Sequence, residues 1–327
     1  MAITTRRRTV GQVSGENIVI EAAWMYYHEM KKQSEIAEQL GVSRATIVNC
    51  LQEAKERGIV RISLAAEAFT GHRLAEELRE RFALAAAFVV PDATSRSDEE
   101  TLIRVARGAA EWLPGLIGPG DKLGVSWGRT VYEVAEAMEQ TRTENVSVSQ
   151  LVGSMATPYG FTAEICSAHM AMKLGARLVN LHAPAVLSDP DLAERLRAEP
   201  IIAAQLDALS HCNKAIFAAG SSNHGSHIVS SGLASHADLD WYVSQGATGV
   251  LCGRFIDAAG RPIPGDLDKR MIGVELDKLM NLDMGLLVSV GEDKVAPMIS
   301  AIEGGYVTHV VTSAGTAEAM LEMSREG

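Results

Sequence analysis

Two groups of residues have types and spacings that suit recognition chemistry. The first runs from Gln33 to Leu51 as Gln-Ser-Glu-Ile-Ala-Glu-Gln-Leu-Gly-Val-Ser-Arg-Ala-Thr-Ile-Val-Asn-Cys-Leu. Ala37 is small enough for a second helix to cross closely, Gly41 suits a tight turn, and Ile36, Leu40, Val42 and Ile47 would fill the space between the helices. Ser43 is a natural N-cap for the second helix. Arg44, Ala45, Val48 and Asn49 fall away from the Ile47–Leu51 stripe, on a face free to enter a major groove. There a guanidinium can pair with guanine or a phosphate, and a carboxamide with adenine. Ser34, at the start of the preceding helix, suits a backbone phosphate. Ser34, Ser43, Arg44, Thr46 and Asn49 are therefore the candidate DNA contacts.

The second group lies where apolar runs end. Lys122-Leu-Gly-Val-Ser-Trp-Gly-Arg-Thr130 passes from a strand-like stretch into a helical one. Gly128 permits close backbone approach, while Ser126, Arg129, Thr130 and the free N–H groups of a helix start suit an anion. Val146 to Gly153-Ser154 repeats the design, as does Leu286 to Gly291 followed by Glu292-Asp293-Lys294. Loops after the carboxyl ends of parallel strands line a ligand crevice, so the three turns are expected to converge. Lys294, near a helix start, is the candidate counter-charge for a phosphate.

Other conspicuous residues carry plainer readings. Gly124-Val-Ser-Trp-Gly128 also fits the Gly-x-Ser-x-Gly nucleophile elbow, which leaves a hydrolase or sugar-phosphate isomerase as the alternative from another class. An enzyme needs an acid/base pair, and Glu164 with His169 or His182 is the best available. No catalytic residue is assigned. His224-x-x-His227, with His211 and His236 nearby, lacks a carboxylate at ligand spacing. No metal site or cofactor is expected, and the Gly/Ser-rich stretch reads as a loop able to close over a ligand, with His224 or His227 touching it. Cys50, Cys166, Cys212 and Cys252 are at least forty positions apart, which fits reduced thiols.

The elements that must position these residues follow from periodicity. Helices are expected near 14–30, 34–40 and 44–57, then a strand-like Gly58–Leu64 of the kind that forms a wing. Strands are expected at 87–90, 122–126, 146–152, 177–181, 215–218, 286–290 and 309–312, with helices filling most gaps. Alternating strands and helices imply a mostly parallel sheet covered on both faces. The expected division is a small all-α, winged helix-turn-helix domain over residues 1–64 and an α/β domain over 65–327, with 65–72 as linker.

Charge agrees with that division. The 327 residues carry a net charge of -11, which by itself argues against nucleic acid. Residues 1–63 hold nine basic and seven acidic side chains, a net +2, so the remainder carries -13. A +2 module binds DNA weakly alone, which calls for an oligomer on repeated half-sites. No apolar run approaches a membrane span and the start lacks a secretory signal, so a cytoplasmic protein is expected.

Taken together, the two groups resemble the SorC family of sugar-binding transcriptional regulators. The likeness spans nearly the whole chain: the helix-turn-helix, Gly58-Ile-Val60, Gly124–Thr130, Gln150-Leu-Val-Gly153, Ala183-Pro184, Gly246-Ala-Thr-Gly249, Gly253-Arg-Phe-Ile-Asp257, Lys294 and Gly304-Gly305. It implies a Rossmann-like effector domain similar to sugar-phosphate isomerases. It also implies operator DNA and a phosphorylated sugar or polyol as partners, a homo-oligomer of two or four chains, and a role as repressor of a carbohydrate or polyol catabolic operon. By position, Ser126, Gly128, Arg129, Thr130 and Lys294 would hold the phosphate. Gly153, Ser154, Thr162, Glu164 and Asp257 would complete the effector site. Three departures stand out: Val250 where the family commonly has a hydroxyl-binding acid, Thr312-Ser313 for Thr-Asp, and Val290-Gly291 for Gly-Gly. They retain the phosphate end and alter the hydroxyl end.

Overall fold

The structure is a computed structural model that describes residues 15–62, 65–92, 97–156 and 160–326. The chain divides into two compact units, Met1–Leu64 and Ala65–Gly327.

In the first unit, helices Gly15–Ala23, Gln33–Leu40 and Arg44–Glu56 pack around Val19, Ala22, Met25, Ile36, Ile47, Leu51 and Ala54. The first helix widens at its end into a π turn, Trp24–His28, which buries Met25. Residues 58–62 form a turn and bend instead of the expected strand, and Ser63 and Leu64 lie outside the described residues. Apolar alternation alone makes no strand, because a ladder needs a partner, and the described residues of this unit offer none.

The second unit is built on a seven-stranded parallel sheet. Its strands are β1 (Ala86–Val90), β2 (Lys122–Val125), β3 (Ser147–Gln150), β4 (Arg177–Val179), β5 (Lys214–Phe217), β9 (Met284–Val288) and β10 (His309–Ser313). Their order is β1-β10-β9-β5-β2-β3-β4. Alternate side chains enter separate apolar layers: Ala87, Val89, Phe217 and Leu287 on one face, Phe88, Val90, Ile216 and Leu286 on the other. This period of two with both faces covered is what crossover helices demand of a parallel sheet. Three short strands, β6 (Ala219–Ser221), β7 (Gly249–Leu251) and β8 (Arg254–Ile256), make a separate antiparallel sheet. At three residues each they are too short to show a period.

The stretch 65–72, expected to be a linker, is structured. A short helix, Glu67–Thr70, sets Phe69 in a stack on Phe88, with ring centroids 4.8 Å apart. Helices Arg73–Arg81 and Pro200–Leu209 are further elements that periodicity did not reveal.

Close backbone approach constrains the sheet at Gly285 in β9, where an added Cβ would lie 1.9 Å from the Tyr306 carbonyl oxygen. Backbone gives less readily than a side chain, so Gly285→Ala should cost about 3 kcal/mol or more. Chemical denaturation of the two proteins measures this, and a loss below about 1 kcal/mol would contradict it.

Candidate functional site

The recognition face of the first unit is assembled by caps. Gly41 adopts φ +68°, and the Val42 N–H donates to Ala37 O at 3.0 Å, closing helix Gln33–Leu40. Ser43 Oγ accepts from the Thr46 N–H at 3.0 Å and starts helix Arg44–Glu56. With Ile47, Cys50 and Leu51 buried, Arg44, Ala45, Val48 and Asn49 are exposed together, and Ser34 is exposed on the preceding helix. Arg44 Nε donates to Gln33 Oε1 at 3.3 Å, which orients the guanidinium across the turn. Ser43 and Thr46 are thus engaged with each other at the helix start, their hydroxyl oxygens 2.8 Å apart.

In the second unit the sheet order creates a crevice. From β2 the chain proceeds to β3 and β4, while from its neighbour β5 it proceeds to β9 and β10 on the other side. Connections leaving two adjacent strands in opposite directions open a gap beyond their carboxyl ends. A cavity of about 290 Å³ occupies it. The turn after β2 contributes Ser126 to Thr130, and the segment after β5 contributes Ala218 to Ser221 and Gly225 to Ile228. The β7–β8 hairpin adds Val250, Cys252 and Gly253, and the turn after β9 adds Ser289, Val290, Asp293 and Lys294.

Two of these turns share one device. Gly128 and Gly291 sit at φ +113° and +117°, a region L side chains rarely enter, and each turns a strand abruptly into a helical segment. No side chain caps helix Arg129–Ala137, and a Cβ placed on Gly128 would meet nothing within 4 Å. The start of this helix lines the cavity through Gly128, Arg129 and Thr130, where an uncapped helix start suits an anion. Lys294 Nζ donates to Ser221 Oγ at 3.0 Å and contacts Asp293 at 2.7 Å, and Arg129 pairs with Glu99.

The field in this cavity is recorded by His227. Burial, then the charges of Lys294 and Arg129, hold its imidazole below the usual histidine range, against the opposing pull of Asp293. The cations therefore outweigh the carboxylate at that point. Cys252 occupies a two-residue hairpin turn at φ +50°, with Gly253 at +84°. Burial pushes its thiol up to about 11, although a hydrogen bond with Ser126 and the charge of Arg254 work the other way. It stays a neutral thiol at physiological pH.

Of the residues expected at this site, Ser126, Gly128, Arg129, Thr130 and Lys294 line one cavity. The other five do not line it. Gly153 is pressed against Ala183 and Ala185, where a Cβ would come within 2.7 Å, and Ser154 bridges to Pro184. Thr162 caps helix Ala163–Leu174 by accepting from the Ile165 N–H. Glu164 Oε2 is buried with no hydrogen-bond partner among the described residues. Asp257 accepts from the Ala259 and Arg261 N–H groups and pairs with Arg261, which makes it a turn former. The enzyme alternative gains no acid/base pair here: His169 contacts Glu136, His182 bonds Gln205, and neither lines the cavity. The two histidines of His224-x-x-His227 separate. His227 enters the cavity, whereas His224 stacks on His236 and pairs with Asp240 at 2.9 Å. Among the described residues no cluster of His, Cys, Asp or Glu is arranged to hold a metal. Ser226, Ser289 and Cys252 were missed as lining residues: the segment after β5 and the β7–β8 hairpin, folded over the crevice, bring in Ser226 and Cys252, and Ser289 follows β9 directly.

A helical unit with an exposed, capped recognition helix and a separate parallel α/β body with a cation-lined cavity define a ligand-responsive regulator of transcription. Residues 66–322 match the family model described as "Putative sugar-binding domain". The chain belongs to that family, the SorC-type sugar-binding regulators of transcription. It is 37% identical over 320 residues to the uncharacterized transcriptional regulator YjhU of Escherichia coli K12, covering 97% of this chain and 98% of that one. It is 30% identical to the deoxyribonucleoside regulator of Bacillus subtilis, over 94% and 97% of the two chains. The full-length sorbitol operon regulator SorC of Klebsiella pneumoniae has the same fold, with a TM-score of 0.71 at 24% identity over 94% of this chain and 99% of that one. No helix among the described residues is long and apolar enough to cross a membrane.

His227 supplies a test of the cavity's charge. An anion bound beside it favours the imidazolium and raises its pKa, so binding takes up a proton and tightens as pH falls. Sulfate, whose charge is constant in this range, should bind about threefold tighter near pH 6 than near pH 8. His227→Gln should flatten that dependence. Calorimetric titration at the two pH values checks it, and equal slopes for both proteins would exclude His227 from the site.

Proposed function

We propose that this protein is a cytoplasmic repressor of a carbohydrate or polyol catabolic operon, with residues 1–64 as its DNA reader and 65–327 as its sensor of a phosphorylated sugar or polyol. The observation that carries the sensor assignment is the convergence of Lys294, Arg129 and an uncapped helix start on one cavity at the sheet's switch point. Such a site offers amide donors and positive charge to a phosphate. The names of the relatives, regulators of sorbitol and deoxyribonucleoside operons among them, agree with this chemistry.

For the reader, Arg44 and Asn49 contact bases while Ser34, Ser43 and Thr46 lie against the phosphate backbone. The sensor body carries -13 and repels DNA, so contacts concentrate on the +2 unit. Assembly of two or four chains then gathers enough of them for a specific site. The effector acts by linkage: it prefers one arrangement of the assembly, shifts the recognition helices relative to successive half-sites, and is itself bound less tightly when operator is present.

Two substitutions separate the halves. Arg44→Ala should weaken operator binding about ten- to hundredfold at fixed salt, with sulfate binding at the cavity retained. Unchanged operator affinity in a gel-shift titration would remove Arg44 from the reader. Lys294→Ala should lower affinity for a sugar phosphate at least about tenfold and abolish its effect on DNA binding. A full response in that variant, read by release of labelled operator, would sink the phosphate assignment.

A further inference from the structure

One serine of the cavity wall has a covered hydroxyl that the anion site leaves unused. Ser226 lines the cavity and is 4% exposed, and its Oγ is buried with no hydrogen-bond partner among the described residues. It stands at the N-cap position of the short helix His227–Ser230, where a serine ordinarily accepts a bond from the next turn, yet that bond is not made. The neighbouring hydroxyls are engaged. Ser221 accepts from Lys294, and Ser289 accepts from the Ala219 N–H at 2.9 Å. A buried polar group left unmet disfavours the folded state, and at the wall of a cavity the natural remedy is a ligand atom.

The rest of the wall limits what that ligand is. Asp293 is its single carboxylate among the described residues and is held by Lys294. Val250 and Ile228 are apolar, and burial holds the His227 imidazole below the usual histidine range. With Ser221 and Ser289 already bonded, a sugar with many hydroxyls would have to compete with bonds the wall already makes. The volume, about 290 Å³, is also at the small end of ligand pockets.

We propose that Ser226 is a specificity-determining residue whose hydroxyl bonds a hydroxyl or carbonyl oxygen of a small phosphate ester with few other hydroxyls. This rests on the anion site described above and narrows it from phosphorylated sugars in general to short, hydroxyl-poor ones. Rotation about the serine's Cα–Cβ bond, or a small shift of the segment 222–230, brings the covered hydroxyl to the ligand.

The test uses the full-length protein and calorimetric titration with inorganic phosphate, glycerol 3-phosphate, dihydroxyacetone phosphate and glucose 6-phosphate. At least one three-carbon ester should bind about tenfold or more tighter than inorganic phosphate, and tighter than glucose 6-phosphate. Ser226→Ala should cut the ratio of three-carbon ester to phosphate affinity about tenfold, and Ser226→Thr, which keeps a hydroxyl, should preserve most of it. The melting temperature of ligand-free Ser226→Ala should not fall, since the hydroxyl has no protein partner to lose. A fall would assign Ser226 a structural role and overturn the proposal. An unchanged ratio would overturn the role of Ser226 while leaving the anion site standing, and tighter binding of glucose 6-phosphate would overturn the hydroxyl-poor class. If no phosphate compound binds, this inference and the phosphate-sensing reading fall together. Loss of phosphate binding in Lys294→Ala with an unchanged Ser226→Ala ratio sinks only the former.

Discussion

Two adjacent parallel strands whose chains depart in opposite directions are the constraint on which the sensor unit depends. The pairing of β2 with β5 is ordinary, registering Leu123 to Val125 with Lys214 to Ile216. Beyond it, crossover connections have to cover both faces of the sheet, and the space above the point of divergence is left to loops alone. Apart from Leu102, the lining residues come from the turns after β2, β5 and β9, from helix starts there, and from the small β6–β8 sheet. The sheet thus supplies rigidity beneath the site, and the loops supply its chemistry.

Gly128 and Gly291 translate that topology into an electrostatic device. Each allows an apolar strand to turn sharply, so that backbone N–H groups and a cation come to the same place. Either turn alone is an ordinary strand-to-helix junction. Their convergence on opposite sides of the divergence brings Arg129 and Lys294 to one cavity, where burial first and then those two charges hold the His227 imidazole below the usual histidine range.

What could be read directly from the residues followed the length of the pattern. The helix-turn-helix was legible because its spacing is local: Ala37, Gly41 and Ser43 act within one or two turns of each other. The seven long-run strands of the main sheet were legible from β-branched and apolar runs, as were Ser126 to Thr130 and Lys294 from their place after such runs. The β6–β8 sheet was not, since Ala-Gly-Ser and Gly-Val-Leu carry no period and are fixed by pairing across about thirty positions of chain. Ser226 and Cys252 came with it. Gly153, Ser154 and Asp257 show the reverse error, in which small or acidic residues beside a strand serve backbone packing and turn geometry. The apolar alternation of 58–62 misled in a third way, since a strand exists only as one member of a pair.

Arg129 and Lys294 each have a carboxylate beside them, Glu99 and Asp293. Both cations that line the cavity are therefore already paired. Occupancy becomes an exchange of partners, in which an arriving anion competes with a carboxylate that is already in place. Glu99 lies in the first turn of helix Asp98–Leu116, so its release returns a free negative charge to the surface of the sensor.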